Sequence, residues 1–337
     1  MAVRLVVPDD HNGVYEASPV FGRLRERCDI AVYTTPHRSL DEVVERIGDA
    51  EIIVANRERT PLRIETLDRV PNLRFIAQTG MRGAHLDVAA ATERGILIAG
   101  TGGSSTAPSA RYAAASTVEM TVGLMLAATR RIPFGDAEVR AGRWSQFVGR
   151  ELAGRKLGII GLGRIGGRVA HVCQAIGMDV SAWSPNLTPE RALNAGVAAR
   201  ELDELLAESD VISIHLQLTP MSRGLLSRER LALMKPSALL VNTARGPIVD
   251  EDALVDMLQT GRLWGAALDV FGQEPLPAGH PLFSLPNVVL TPHVGWVAQD
   301  GYEGFFEGIF ENVTAYLDGR PIPRLVNPDA LERRRPG

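Results

Sequence analysis

The stretch "GIIGLGRIGGRVAHVCQAIGMDVSAWSPN", Gly158 to Asn186, holds a short β-rich run, a glycine turn, a helical segment and a second β-rich run. Gly161, Gly163 and Gly166 spell G-x-G-x-x-G between the predicted strand and helix. The first glycine permits a tight turn, the second lets a pyrophosphate approach the backbone, and the third lets helix and strand pack closely. Glycines also pack helices on strands elsewhere, but this strand–turn–helix setting favours a phosphate cradle. The amides of Arg164 and Ile165 then open the helix and face the phosphates. Ser184 ends the second strand, where an acidic residue would ordinarily take the ribose hydroxyls.

On both sides of this unit the chain repeats the same alternation. Downstream come "DVISIHL", "ALLVNT", "GAALDVF" and "NVVLTPH". Upstream, "VRLVVP", "IAVYTT", "EIIVAN", "LRFIAQTG" and "ILIAGT" are separated by helix-length segments, so a second parallel α/β sheet is expected there. Between the halves, "GTGGSSTAPSA" (Gly100–Ala110) is a candidate hinge, and the apolar "YAAASTVEMTVGLMLAATRRI" is long enough to brace two domains or a subunit interface. A helical pattern, "YEGFFEGIFENVTAYLDG", follows the last strand, and the basic end "LERRRPG" reads as a solvated tail. The economical arrangement is one domain inserted into another: residues 105–295 inside a domain made from 1–104 and 296–337.

Composition bounds the function. The chain has 337 residues, 45% apolar and 23% charged, with a formal charge of −4, which disfavours a general nucleic-acid or membrane-surface binder. Its two cysteines, Cys28 and Cys173, sit in apolar segments and point to a reducing cytoplasm rather than a disulfide framework. The start, "MAVRLVVPDD", reads as a first strand rather than a signal peptide, and no apolar run approaches the ~20 residues of a membrane span. No Cys/His cluster has zinc spacing, so no metal is expected.

In a doubly wound sheet, ligands sit beyond the carboxyl ends of the strands. Three later strands end in reactive groups: "ALLVNTARGPIVD" delivers Arg245, "GAALDVFGQEP" delivers Asp269 and Glu274, and "NVVLTPHVGW" delivers His293. Taken singly, these are a surface arginine, loop acids and a capping histidine. Placed together after a dinucleotide loop, they form a site for reducing a keto acid. An arginine takes the anion, a histidine donates the proton, and a carboxylate holds that histidine charged.

The blocks "GIIGLGRIG", "VNTARGPIVDEDAL", "LDVFGQEPLP" and "NVVLTPHVGW" resemble the signatures of the D-isomer-specific 2-hydroxyacid dehydrogenase family, in order and over nearly the whole chain. The resemblance implies a Rossmann-type cofactor domain inserted into a flavodoxin-like substrate domain, a homodimer, NAD as cofactor with NADP possible, and a small 2-oxoacid or D-2-hydroxyacid as substrate. It implies Arg245, Glu274 and His293 as the catalytic group. Cofactor contacts would come from Gly161, Gly163, Arg164, Ile165, Gly166, Ser184, Thr243, Ala244, Arg245, Asp269 and His293, with Asp269 near the nicotinamide amide. Substrate contacts would come from Arg245, Trp296 and the backbone amides of Met81 and Arg82 in "QTGMRGAHLD".

The sequence departs from the family pattern at Ser184, at Gln217 in "SIHLQLTP", in "MRGAHLD", and at Trp296, which is large where relatives are often small. The first two bear on cofactor choice, the others on substrate. His215 is expected to shape the pocket, and His11 in "DDHNGVY" to sit in a turn. Glu119, a lone acid in an apolar helix, is expected to bridge the domains through hydrogen bonds rather than do chemistry, since a buried charge must be paired. Glu274, where a formate-oxidising relative would carry glutamine, sets that activity aside. A phosphoglycerate dehydrogenase with a regulatory domain fits less well than a glyoxylate or hydroxypyruvate reductase. From another class, a nicotinamide-sensing transcriptional corepressor can share the fold and the triad.

Overall fold

The computed structural model describes residues 2–56, 59–81, 83, 85–101 and 114–333. Most of the proposed hinge, from residue 102 onward, lies outside the described residues, as does Arg82. The chain forms two compact units, Met1–Ala113 with Ala298–Gly337, and Ala114–Val297.

The first unit is built on five parallel strands: β1 (Val3–Val7), β2 (Cys28–Val32), β3 (Ile52–Ala55), β4 (Phe75–Gln78) and β5 (Leu97–Gly100). They are ordered β2-β1-β3-β4-β5, the flavodoxin-like order, with its switch point between β1 and β3. Strands β3, β4 and β5 are buried at every position, as strands covered by helices on both faces must be. The helices start where side chains satisfy free amides. Ser18 Oγ accepts from Val20 N before Pro19–Arg25, and Ser39 Oγ accepts from Glu42 N before Leu40–Ile47.

Seven parallel strands form the second unit's sheet. They are β6 (Lys156–Ile160), β7 (Asp179–Trp183), β8 (Ala198–Ala199), β9 (Val211–Ile214), β10 (Leu239–Asn242), β11 (Gly265–Leu268) and β12 (Val288–Leu290). Their order is β12-β11-β10-β9-β6-β7-β8, a doubly wound Rossmann arrangement whose order reverses beside β6. Alternate residues feed opposite cores. Ile160, Ile212 and Leu240 pack with Leu254 and Leu258 on one face, while Ile159, Val211 and Val241 pack with Val169 and Cys173 on the other. Each such fully buried aliphatic side chain contributes about 1.5–3 kcal/mol relative to exposure.

The apolar segment before this sheet is a helix over Ala115–Thr129 that stops two residues ahead of a second helix, Ile132–Arg140. Pro133 has no N–H for an uninterrupted ladder, and Arg131 turns the chain with φ +53°. Glu119 is exposed on the first of these helices, so the expectation of a buried, paired charge is corrected. No described helix is long and apolar enough to cross a membrane.

Candidate active site at the strand ends of the second unit

The glycine turn follows β6. Gly161 has φ +104°, and a Cβ there would stand 2.7 Å from the carbonyl oxygen of His215. At Gly166 a Cβ would stand 2.2 Å from the Gly161 carbonyl oxygen, so helix Arg164–Ala175 can approach the turn only with glycine at this position. Gly163 differs from both. A Cβ there would meet nothing within 4 Å, and the residue caps the helix with no side-chain hydrogen bond. The first-turn amides of Arg164 and Ile165 have no intrahelical carbonyl to satisfy them, and the backbone in front of them is open. A pyrophosphate fits that cradle.

Ser184 stands directly after β7, and its Oγ accepts a hydrogen bond from Leu162 N at 2.7 Å. The serine therefore braces the glycine turn. Arg191, on the helix that follows, donates to the Asn186 carbonyl at 2.8 Å. His215 closes the turn from β9. Its Nε2 lies 2.9 Å from Ser213 Oγ, and burial pushes the imidazole down to about 3, so it is neutral at physiological pH.

Strands β10, β11 and β12 are neighbours, and their carboxyl ends carry the other named residues. After β10, the Asn242 side chain spans the turn, accepting from Ala244 N and donating to the Arg245 carbonyl, each at 3.0 Å. Thr243 Oγ1 lies 2.8 Å from Thr121 Oγ1 in a buried contact. Arg245 follows, and one of its guanidinium nitrogens donates to the Ala244 carbonyl at 2.6 Å. Gly246 presses on the next loop so closely that a Cβ would sit 2.0 Å from the carbonyl carbon of Phe271.

That next loop carries Glu274. One carboxylate oxygen accepts from Phe271 N at 2.9 Å, and the other lies 2.6 Å from His293 Nδ1. Both side chains are partly exposed, so His293 Nε2 can face a reactant while Nδ1 is held. Glu251 ties the loop down by accepting from Gly272 N at 2.8 Å, and its other oxygen stands 3.5 Å from His280 Nε2. Asp269 is buried at the end of β11 against the His293 segment. Trp296 is partly buried three residues beyond His293.

The second unit thus brings together Gly161, Gly163, Arg164, Ile165, Gly166 and Ser184 around the turn, and Thr243, Ala244, Arg245, Asp269, Glu274, His293 and Trp296 at adjacent strand ends. Met81 belongs to the first unit, just past β4, and is exposed. Three further residues brace the site: Asn242, Glu251 and Thr291, whose Oγ1 donates to Asp269 Oδ1 at 2.5 Å. The sequence carries no signal for them beyond their place within "VNTARGPIVDEDAL" and "NVVLTPHVGW". Among the described residues, no group of three or more His, Cys, Asp or Glu side chains could hold a metal ion.

Residues 122–295 match the family model described as "D-isomer specific 2-hydroxyacid dehydrogenase, NAD binding domain". The chain belongs to the D-isomer specific 2-hydroxyacid dehydrogenase family. As the family's NAD-binding domain, the second unit takes NAD as its cofactor. A glyoxylate reductase of Thermofilum pendens is 37% identical over 327 residues, covering 94% of this chain and 93% of that protein. A D-3-phosphoglycerate dehydrogenase of Methanocaldococcus jannaschii is 38% identical over 290 residues, covering 85% of this chain and 53% of that protein. The chain therefore spans about half the length of such phosphoglycerate dehydrogenases. Among solved structures of the family fold, a phosphoglycerate oxidoreductase of Vibrio cholerae superposes with a TM-score of 0.87 at 35% identity, over 94% of this chain and 99% of that one. These relatives carry dehydrogenase, reductase or oxidoreductase names, which does not favour the corepressor alternative.

Proposed function

We propose that this chain is an NAD-dependent oxidoreductase that reduces a small 2-oxoacid, of the glyoxylate or hydroxypyruvate kind, to the D-2-hydroxyacid. The observation that carries the reading is His293 Nδ1, beyond β12, held 2.6 Å from Glu274 Oε2, beyond β11, with Arg245 beyond the adjoining β10. Arg245 takes the substrate carboxylate through its planar fork and polarises the carbonyl. With Nδ1 fixed on Glu274, His293 presents Nε2 to the carbonyl oxygen and gives it a proton. NADH, held at the glycine turn by the amides of Arg164 and Ile165, would supply a hydride for the carbonyl carbon, and with the proton from His293 this balances reduction of the carbonyl to the alcohol. Trp296, large and close to His293, narrows the space for the substrate side chain. Similarity to a glyoxylate reductase of Thermofilum pendens, 37% identical over 94% of this chain, supports a small 2-oxoacid substrate.

We also infer a homodimer. Helix Ile132–Arg140 buries none of its residues, and the segment after it exposes Trp144 at 85% and Val148 at 92%. Ile132 and Val139 add to this apolar surface, which is ordered by its own ion pairs, Arg140–Asp136 and Arg143–Glu138. Large apolar side chains exposed together along one segment mark an interaction surface, and a twofold pairing of identical segments is the commonest way to cover one. A place in the reducing cytoplasm is supported by two unpaired thiols, Cys28 and Cys173, both pushed up to about 11 by burial.

The test is a panel of glyoxylate, hydroxypyruvate, pyruvate and phenylpyruvate with NADH and NADPH, and of 3-phosphoglycerate with NAD. Turnover is expected with glyoxylate or hydroxypyruvate. Turnover of 3-phosphoglycerate alone would overturn the substrate reading, and no turnover of any compound would overturn the activity.

A further inference from the structure

The loop that carries Glu274 leaves the core at Phe271 and rejoins it at Leu282, both buried in the same apolar cluster. Leu276 packs on that cluster, but Gly272, Gln273, Glu274 and Pro275 ahead of it are exposed. Polar contacts rather than packing must therefore fix the Glu274 carboxylate. One side chain from outside the loop reaches it at both ends. Glu251 Oε2 accepts from Gly272 N at 2.8 Å, and Glu251 Oε1 stands 3.5 Å from His280 Nε2. Glu274 lies between the two points, two residues after Gly272 and six before His280.

Both contacts ask for a carboxylate. His280 Nδ1 accepts from Leu282 N at 3.3 Å and so caps the short turn Pro281–Ser284. With Nδ1 accepting, the ring proton is on Nε2, the nitrogen that faces Glu251. Gly272 N and His280 Nε2 are thus both donors. A carboxylate accepts on each of its oxygens, whereas an amide accepts on one only. Glu251 is also well placed to carry the charge. It is the first residue of helix Glu251–Gln259, where free amides favour an anion, and Asp250 caps that helix by accepting from Ala253 N at 3.0 Å. The fit is close, since a Cβ on Gly272 would stand 3.2 Å from Glu251 Oε1.

We infer that Glu251 and His280 form a two-ended clamp on this loop, and that Glu251 is a positioning residue that seats the Glu274 carboxylate against His293 Nδ1. The inference rests on the proposed role of His293 as proton donor. Glu251 acts through Glu274 and not on the substrate or the cofactor.

The test compares wild type with Glu251→Ala, Glu251→Gln and His280→Ala. In Glu251→Ala, reduction kcat at saturating NADH and 2-oxoacid should fall about 10- to 100-fold, the scale of a misplaced reacting group. The Kd of NADH, from fluorescence titration, should stay within about threefold. In the free protein at one fixed pH, the NMR resonance of the His293 Nδ1 nitrogen, assigned by its loss in His293→Gln, should move toward its position in Glu274→Gln. Glu251→Gln keeps the acceptor for Gly272 N and should fall between wild type and Glu251→Ala. Combined with His280→Ala, it should lose no more than the worse of the two singly, because both break the same contact. These two variants carry the test if Glu251→Ala does not fold. A wild-type kcat or an unmoved His293 resonance in Glu251→Ala would overturn the inference. So would losses that multiply in the double variant, or an NADH Kd raised beyond about tenfold, which would put Glu251 in cofactor binding. If the wild-type protein reduces no 2-oxoacid, the proposed activity fails, while the His293 resonance still decides the role of Glu251.

Discussion

The hydroxyl oxygen of Ser184 is bonded to the amide of Leu162, so the strand end that ordinarily reads the ribose is turned onto the glycine loop instead. A carboxylate there would accept from the ribose hydroxyls of NAD and repel the extra phosphate of NADP. Ser184 brings no negative charge, and the nearby Arg191 is folded onto the Asn186 carbonyl. NADH and NADPH efficiencies on one substrate should therefore differ by less than ~100-fold, or about 2.7 kcal/mol, in favour of NADH. Ser184→Asp should widen the gap sharply. Fluorescence titration of both cofactors checks the binding part, and tight NADPH binding with weak NADH binding would refute the lean.

Arg245→Lys keeps the charge and loses the planar fork. The kcat/KM for the best 2-oxoacid should fall at least ~10-fold, about 1.4 kcal/mol, the scale of one lost charge-assisted hydrogen bond. Steady-state kinetics at saturating NADH measure this directly. Efficiency close to wild type would mean that another group holds the carboxylate.

In the first unit, Asp9 is buried with His11 and His37 3.4 and 3.3 Å from the same oxygen, and Thr60 donates to the other. Burial raises this carboxyl, and the hydrogen bonds from the two histidines outweigh it, leaving it below its ordinary value. A depressed carboxyl stabilises the fold above the unfolded-state pKa, near 4, and that stability is lost as pH falls through the folded value. Asp9→Asn should cost on the order of 2 kcal/mol at neutral pH and flatten the loss of stability below about pH 4. Urea unfolding of both proteins between pH 7 and about pH 3 would reveal parallel curves if Asp9 plays no such part.

Trp144→Glu places a charge at the most exposed aromatic ring of the apolar segment. If that segment joins two copies, the variant should sediment as a monomer at concentrations where wild type is a dimer, with secondary structure unchanged. Equal sedimentation of the two proteins would place the interface elsewhere.

Much of this architecture can be read from the chain because buried parallel strands are short runs of β-branched and aliphatic residues, as in "IIVA" and "LLVN". Strand β8 is two alanines, which carry no β signal, and it exists only because β7 offers an edge to pair with. Helix Ile132–Arg140 is hard to read from the chain for another reason: it buries no face of its own, so no core imposes a periodicity on it. In the site, reactive side chains announce themselves by type and position. Their supports do not. Asn242 and Thr291 act through bonds fixed by the register of β10, β11 and β12, which no local pattern of residues records.

Gly246 lies so near Phe271 that not even a methyl group fits between the loop of Arg245 and the loop of Glu274. The two loops are geared together: a displacement of one is transmitted to the other with no compressible side chain to absorb it. On the proposed roles of Arg245 and His293, a substrate that draws on Arg245 would also load the support of His293, linking capture of the anion to alignment of the proton donor. For protein engineering, the segment from Arg245 through Glu274 behaves as one mechanical part. Exchanging either loop alone with that of a relative would slip the gear, and only the pair can be moved as a cassette.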